Sequence, residues 1–494
     1  MEINFGLIDF LLVAPALGLF LTSCIPLATK VLNGNNEQSS FYTMIWGYIG
    51  VFTALMFALP TMGTVRSAFQ GALVFDGISQ YSTLLVLLVT IVALTFLRDG
   101  RATNPRLFSE NMFLVMNAAV GMLTMVWSND LILVFVGLEL FSLCLYMLIA
   151  LSLEERASKE ASFKYFILGS FASAIMLYGI SFIYGTVGST YLPDLLASAN
   201  NLVGTNRLFL LGFILLVVGL LFKVSVFPFH SWAPDVYQGS PTPIAAFMAT
   251  SVKAVAFALL LRLMTSDVFN ADRFFPFVDA LQWLTMLTIV IGNVGAFRQK
   301  SLKRMLAYSS VAHAGYLMIG IIAAGIQGSG SSMLGATGVM FYLLAYTLMT
   351  VGAFGVLNML ESRADSDLTN EDLRGLAKER PLLAFCMTIL LLSLTGIPPT
   401  VGFFGKFFIF SAAVKQGLIW LALWGVIGSI ISVYYYLRPI VAMYMEESQV
   451  ERQSTPLYPM SYFAVAILAL LVLVVGITSN QFYDAVLASV GKVF

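Results

Sequence analysis

The sequence is poor in charge. Asp, Glu, Lys and Arg make up 11% of its 494 residues, against about 25% in soluble domains, and a soluble surface cannot be built from so little. Basic and acidic residues number 26 each, so no cationic excess is left to follow a phosphate backbone, which excludes a nucleic-acid binder. Cysteine is nearly absent. Cys24, Cys144 and Cys386 stand far apart in apolar runs and read as small buried hydrophobes. With no C-x-x-C pair and only two histidines, the chain offers no zinc or iron–sulfur ligand set. It also lacks a G-x-G-x-x-G after a strand and a P-loop, so it is expected to bind no nicotinamide, flavin or nucleotide by itself.

What the chain has in abundance is apolar sequence, at 59% of residues. A membrane helix takes about 20 apolar residues. Spans are expected near 5–29, 41–60, 79–97, 108–127, 129–151, 161–185, 207–237, 241–263, 274–297, 301–325, 332–360, 381–415, 418–445 and 458–478. The composition and these fourteen spans predict an all-α polytopic membrane protein. The first span opens with Glu2 and Asp9, unlike the basic start of a cleavable signal.

Loop charges set the orientation. With both termini outside, the outer loops receive Arg66, Arg207, Arg262, Arg273, Lys415 and Lys492, and the inner loops receive most of the other basic residues, Lys303 among them. That inward excess follows the positive-inside rule. Four lysines then fall within spans: Lys164, Lys223, Lys253 and Lys406. Glu139 is the one acidic residue deep in a span. A charge at mid-bilayer costs several kcal/mol, so each needs a reason. Lys164 lies near the end of its span, where it has the alternative of snorkelling to water. Glu139 and Lys253 lie near span midpoints, where the plain alternative is a structural ion pair.

Two spans are too long to be straight. Residues 207–237 as one helix would run roughly 45 Å, against a hydrocarbon core of about 30 Å. Pro228 should break this helix around Phe227–Pro228, with Lys223 just before the break and His230 just after it. Residues 381–415 repeat the pattern, with Gly396, Pro398 and Pro399 mid-span and Lys406 two turns on. Broken helices in membranes tend to mark ion sites. The two are the seventh and twelfth spans, five apart, and so run in opposite directions. This order suggests two inverted five-helix repeats, 108–263 and 274–445, each containing a broken helix (207–237 and 381–415), between an N-terminal three-helix region 1–107 and a C-terminal helix and tail 446–494. His313 sits mid-span near Ser309, Ser310 and Tyr316, at spacings that share a helix face.

These residues suit proton transfer. A lysine in a low-dielectric site holds its proton less tightly, and a nearby carboxylate restores the affinity. A Glu139–lysine pair is therefore a switch in principle, and no nucleophile–base pair for hydrolysis is evident.

The run FKVSVFPFHSWAPDVYQGSPTPIAAFMATSVKAVAF, with GNVGAFRQKSLKRMLAYSSVAHAGYLMIG and TGIPPTVGFFGKFFIF, resembles the antiporter-like membrane-arm subunits of bacterial NADH:quinone oxidoreductase, respiratory complex I. The likeness covers about residues 110 to 445. Asp235-Val-Tyr-Gln-Gly-Ser-Pro-Thr, a lysine at 406 and the stop after span fourteen are similar to the family's subunit N branch. The resemblance implies a fourteen-helix fold with inverted five-helix units. It also implies proton-transfer roles for Glu139, Lys223, Lys253 and Lys406, with Lys164, His230 and His313 as secondary relays. Neighbours similar to subunits M and K, in a hetero-oligomeric complex of the bacterial inner membrane, are implied as well, with NAD, FMN, iron–sulfur clusters and quinone held by partner subunits. A carboxylate partner for Lys406 is not obvious. The alternatives are a cation/proton antiporter subunit without redox chemistry, the same role in a ferredoxin-dependent quinone reductase, and a chain that transmits strain but moves no proton.

Overall fold

The structure is a computed structural model, which describes residues 6–32, 40–99, 105–151, 156–203, 205–265, 275–326, 331–361, 367–447 and 459–491. The chain opens with α1 (Leu7–Leu32) and α2 (Ser40–Ala58). A short antiparallel hairpin follows, β1 (Arg66–Ala68) and β2 (Leu73–Phe75), and then α3 (Gly77–Asp99). Next come α4 (Phe108–Trp127), α5 (Leu131–Ala150), α6 (Arg156–Val187) and the short α7 (Leu192–Leu202). The helices α8 (Arg207–Lys223) and α9 (Trp232–Gly239) lie on either side of an irregular turn. Beyond them, α10 (Thr242–Phe247) and α11 (Lys253–Met264) are joined without interruption by a π-helical turn, Met248–Val252. The second half contains α12 (Phe275–Phe297), α13 (Leu302–Gly325), α14 (Ser331–Leu360), the one-turn α15 (Leu376–Glu379), α16 (Pro381–Thr395) and α17 (Val401–Lys415). The described chain ends with α18 (Ile419–Met445), α19 (Pro459–Ile477) and α20 (Ser479–Val490).

Among the described residues, twelve helices are long and apolar enough to cross a membrane. Most begin and end within a few residues of the expected spans. Local chemistry sets several of the starts. The Asp130 carboxylate accepts from the amides of Ile132 and Leu133 to cap α5, Asn206 does the same for α8, and Ser301 caps α13.

The helices form an inner and an outer set. The run 242–264, α13 and α14 have almost no outward face, and the buried polar side chains Lys253, Ser310, His313, Thr347 and Thr350 lie on them. By contrast, α1, α6 and α18 turn Leu, Ile and Phe outward, as lipid-facing or partner-facing helices do. Small residues bring the outer and inner helices together. A Cβ on Gly179 of α6 would lie 2.6 Å from the Gly212 carbonyl of α8, so glycine alone permits this approach.

Two sequence expectations are corrected and one is sharpened. The first broken helix is interrupted around Phe227–Pro228 as expected, over residues 224–231, and α8 already ends at Lys223 because the Pro228 ring would clash with the carbonyl four positions earlier, at Val224. Ser225 there takes a left-handed φ of 61°. Lys303 is not a loop charge, since it lies in the first turn of α13 and pairs with Glu361 at 2.5 Å, both fully buried. Arg262 is likewise buried, against Asp76 at 2.6 Å. The hairpin, α7 and α20 are additions that hydropathy did not mark. Glu2, Arg273 and Lys492, with the inner-loop positions Arg101, Arg363 and Arg452, lie outside the described residues.

The Arg262–Asp76 pair ties the end of α11 to the turn that starts α3, where Asp76 also accepts from the Ser79 amide at 2.8 Å. Replacing Asp76 with Ala strands a buried guanidinium, so the expected cost is about 3–5 kcal/mol. The measurement is the melting temperature of the detergent-solubilised protein, and an unchanged value would contradict the clamp.

Candidate functional site

The first broken segment places an ammonium inside the protein. Lys223 is the last residue of α8, where unpaired carbonyls favour a cation. Its Nζ donates to Ser142 Oγ at 2.8 Å, and the Ser142 hydroxyl donates onward to the Leu138 carbonyl at 2.5 Å. Four rings surround the ammonium at 5.6–5.9 Å: Phe141, Tyr146, Tyr165 and Phe222. Such faces stabilise a desolvated cation by about 2 kcal/mol. Glu139 lies one turn before Ser142 on α5, within electrostatic reach of Lys223. The two make no ion pair within 4 Å, and Glu139 Oε1 is buried with no hydrogen-bond partner. The carboxylate and the ammonium are thus adjacent and unjoined.

The break itself is closed by Trp232. Its indole Nε1 donates to the Phe222 carbonyl at 3.0 Å, the same carbonyl that takes the Ser225 amide. The indole stacks on Tyr165 at 4.7 Å and on Phe222 at 5.4 Å, and it meets the edge of Tyr237. Tyr237 in turn lies beside Ser310 and Tyr346, so aromatic contacts run from the Lys223 pocket to the middle of the molecule.

Lys253 occupies that middle, directly after the π-helical turn. Turns of this kind often mark functional positions. Its ammonium donates to the Ser310 carbonyl and to Ser310 Oγ, the latter at 2.5 Å, over the Tyr346 ring. Tyr346 donates to the same Ser310 hydroxyl at 2.7 Å. One turn further along α13, His313 lies between Lys253 and Lys406. Its Nδ1 contacts the Tyr342 hydroxyl at 2.6 Å and its Nε2 contacts Tyr436 at 3.1 Å, while Tyr436 also bonds Ser309.

The second broken segment supplies the last lysine and answers the question of its partner. Lys406 Nζ donates to the carbonyls of Thr395 at 2.8 Å and Leu394 at 3.1 Å. These are the terminal carbonyls of the first half-helix, α16, which Gly396 ends in a left-handed conformation at φ 92°. The negative end of a helix dipole therefore stands in for a carboxylate. Tyr316 covers the ammonium at 5.0 Å. An apolar cleft of about 750 Å³ between α17 and α18 reaches Lys406 from the outer face.

Two expected residues lie off this row. Lys164 is 42% exposed and pairs with Glu160 at 2.8 Å and Asp235 at 3.1 Å, at the end of α6. His230 sits in the irregular turn against Phe227, its Nδ1 buried without a partner. The sequence reading missed Ser142, Trp232, Tyr237, Tyr342, Tyr346 and Tyr436. Polar residues inside long apolar spans were the available signal, but which of them meet depends on contacts across many tens of residues.

Spans, broken helices and a row of buried lysines define an antiporter-like polytopic membrane subunit. The family described as NADH:quinone oxidoreductase/Mrp antiporter matches residues 128–432. NADH-quinone oxidoreductase subunit N of Bdellovibrio bacteriovorus is 49% identical, over 98% of this chain and 99% of that protein. A chain of respiratory complex I from Thermus thermophilus superposes with a TM-score of 0.80 at 35% identity, covering 96% of this chain and 100% of that one. A chain of the Mrp complex from Dietzia shares the fold, with a TM-score of 0.84 at 20% identity, over 98% and 97% of the two chains. The chain belongs to the NADH-quinone oxidoreductase subunit N family.

Gly396 shapes the Lys406 site directly. A Cβ there would lie 3.1 Å from Lys406 Cδ and 3.4 Å from its Nζ, on a backbone that disfavours side chains. Gly396→Ala is expected to cost about 1–2 kcal/mol, read as a lower thermal midpoint of the purified complex. Wild-type stability would contradict the left-handed cap.

Proposed function

We propose that this chain is a proton-translocating, antiporter-like membrane subunit of an NADH-quinone oxidoreductase, and that electron transfer in partner subunits drives proton movement along its buried lysines. The observation that carries this reading is the row Lys223–Lys253–His313–Lys406, connected by tyrosine, tryptophan and serine side chains across α13. Each lysine is nearly fully buried, and among the described residues no carboxylate pairs with any of them within 4 Å. A buried ammonium without a counter-charge is only marginally held, so a modest change in nearby charge moves its proton.

In this reading Glu139 is the switch. When its carboxylate swings to Lys223, the lysine keeps its proton. When the two separate, as in this structure, the proton passes toward Lys253 and His313. Lys406 is taken as the terminal site, the role that the family resemblance implies for the lysine of the second broken helix. Secondary roles fall to His230 and His313, with Lys164 at the edge.

We count α8–α9 and α16–α17 as one crossing each, which with the twelve continuous helices makes fourteen. The repeat units are then 108–263 and 274–445, inverted with respect to each other, between 1–107 and 446–494. Support comes from the matched breaks, each of which ends its first half-helix at a lysine ammonium. Both termini are assigned to the outer side of a bacterial inner membrane from the basic loops, and the neighbours are assigned as subunits similar to M and K. Among the described residues no cluster of three His, Cys, Asp or Glu side chains is placed to hold a metal. We assign NAD, flavin, iron–sulfur clusters and quinone to partner subunits.

Lys223→Ala and Glu139→Gln are each expected to lower NADH-driven proton pumping into membrane vesicles by roughly a hundredfold, and to slow quinone reduction with it. Lys164→Ala is expected to do less, because that side chain sits at the surface. Wild-type pumping in both of the first two variants, in a correctly assembled complex, would overturn the assignment.

A further inference from the structure

Two ion pairs are buried at opposite ends of the run that carries Lys253, and they are built differently. At the end of α11, Asp76 Oδ1 takes both Arg262 and the Ser79 amide, which makes it a structural tie. At the start of α10, Lys303 Nζ lies 2.5 Å from Glu361 Oε1 and donates to the Ser240 carbonyl at 3.3 Å. Here the carboxylate is not saturated, because Glu361 Oε2 is buried with no hydrogen-bond partner.

The surroundings of this second pair are also incomplete. The Thr242 hydroxyl lies next to Glu361, and it too is buried without a well-formed hydrogen bond. Thr347 and Thr350 on α14 carry further orphaned hydroxyls, and Thr350 lies beside Tyr346. A buried hydroxyl without a partner is costly, and water is the ordinary remedy. Along α14, Thr347 and Thr350 fall between Tyr346, at the Lys253 site, and Glu361, beside which Thr242 lies. Lys303 and Ser310 share one side of α13, seven residues or about 10 Å apart, and Ser310 is the acceptor of the Lys253 ammonium. Tyr346 and Thr350 are one turn apart on α14, which ends at Glu361.

On its other side the pair meets a partly exposed charge network. Arg304, the next residue, donates to Asp235 at 2.6 Å and Gln238 at 2.9 Å. Gln238 donates to Asp367 at 2.5 Å, and Lys164 joins Asp235. The surface network and the buried ion pair are thus held by consecutive residues, Arg304 and Lys303.

We propose that Glu361 and Lys303 form a proton-loading site that recharges Lys253 from the side of the Arg304–Asp235 network. The proposal rests on the proton-transfer reading of Lys253 given above. A proton from solvent adds to Glu361 Oε2 and gives the neutral acid, which loosens the pair with Lys303. The acid then releases its proton to waters held by Thr242 and Thr350. The unprotonated Lys253 amine takes up a proton at the other end of that chain, and the ion pair re-forms.

The test uses the whole NADH-quinone oxidoreductase in proteoliposomes, with NADH-driven proton uptake measured per assembled complex. A Lys303→Met/Glu361→Gln double variant replaces the ion pair with neutral groups of similar shape, a change that buried sites often tolerate. Its proton uptake is expected to fall roughly a hundredfold. Thr242→Val removes only an unbonded hydroxyl, and it is expected to slow uptake severalfold with complex content and melting temperature unchanged. If the double variant does not assemble, Thr242→Val decides alone. Wild-type uptake in these variants, alongside a loss in Lys253→Met, overturns the loading site and leaves the role of Lys253 standing. Wild-type uptake in Lys253→Met as well overturns the proposed function itself.

Discussion

An ammonium group at mid-membrane depth is costly unless something replaces its water, and the protein places three there. Its architecture follows from how each is accommodated. Lys223 is held by one hydroxyl and four aromatic faces. Lys253 is held by a serine that offers both its carbonyl and its hydroxyl. Lys406 is held by the carbonyls at a helix end. None of these arrangements neutralises the charge with a fixed carboxylate. The cation is stabilised enough to be tolerated and is not locked in place.

The broken helices follow from that constraint. A continuous helix spends its carbonyls on its own amides, so only an interruption leaves carbonyls free at mid-depth. Proline and glycine create the interruptions at 224–231 and 396–400, and inner helices without an outward face keep the freed groups away from lipid. The tyrosines around His313 continue the same design, because each hydroxyl can both donate and accept and is bonded to a neighbour in the row.

Much of this was legible in the sequence. Apolar runs gave most of the helices to within a few residues, and the four span lysines, Glu139 and the two Pro/Gly breaks stood out against a background poor in charge. The partners were not legible. Ser142 lies 81 residues from Lys223, and nothing in its local sequence distinguishes it from other serines in apolar runs. For Lys406 no carboxylate partner is obvious in the sequence, and its partners are backbone carbonyls, which have no signature there. Lys303 was counted with the loop charges because Arg298, Lys300 and Arg304 surround it. Helix phase turns it inward while Arg304, about 100° further round, faces the surface network. The same reading left Lys164 undecided between the core and the edge, and its ion pairs with Glu160 and Asp235 put it at the edge.

If these buried lysines form one proton path, water must connect them, and a structure of the assembled complex that shows individual waters decides the matter. Ordered waters are expected to join Glu139, Lys223, Lys253, His313 and Lys406 through the orphaned hydroxyls between them. Dry, apolar packing between Lys223 and Lys253, or between His313 and Lys406, would contradict it.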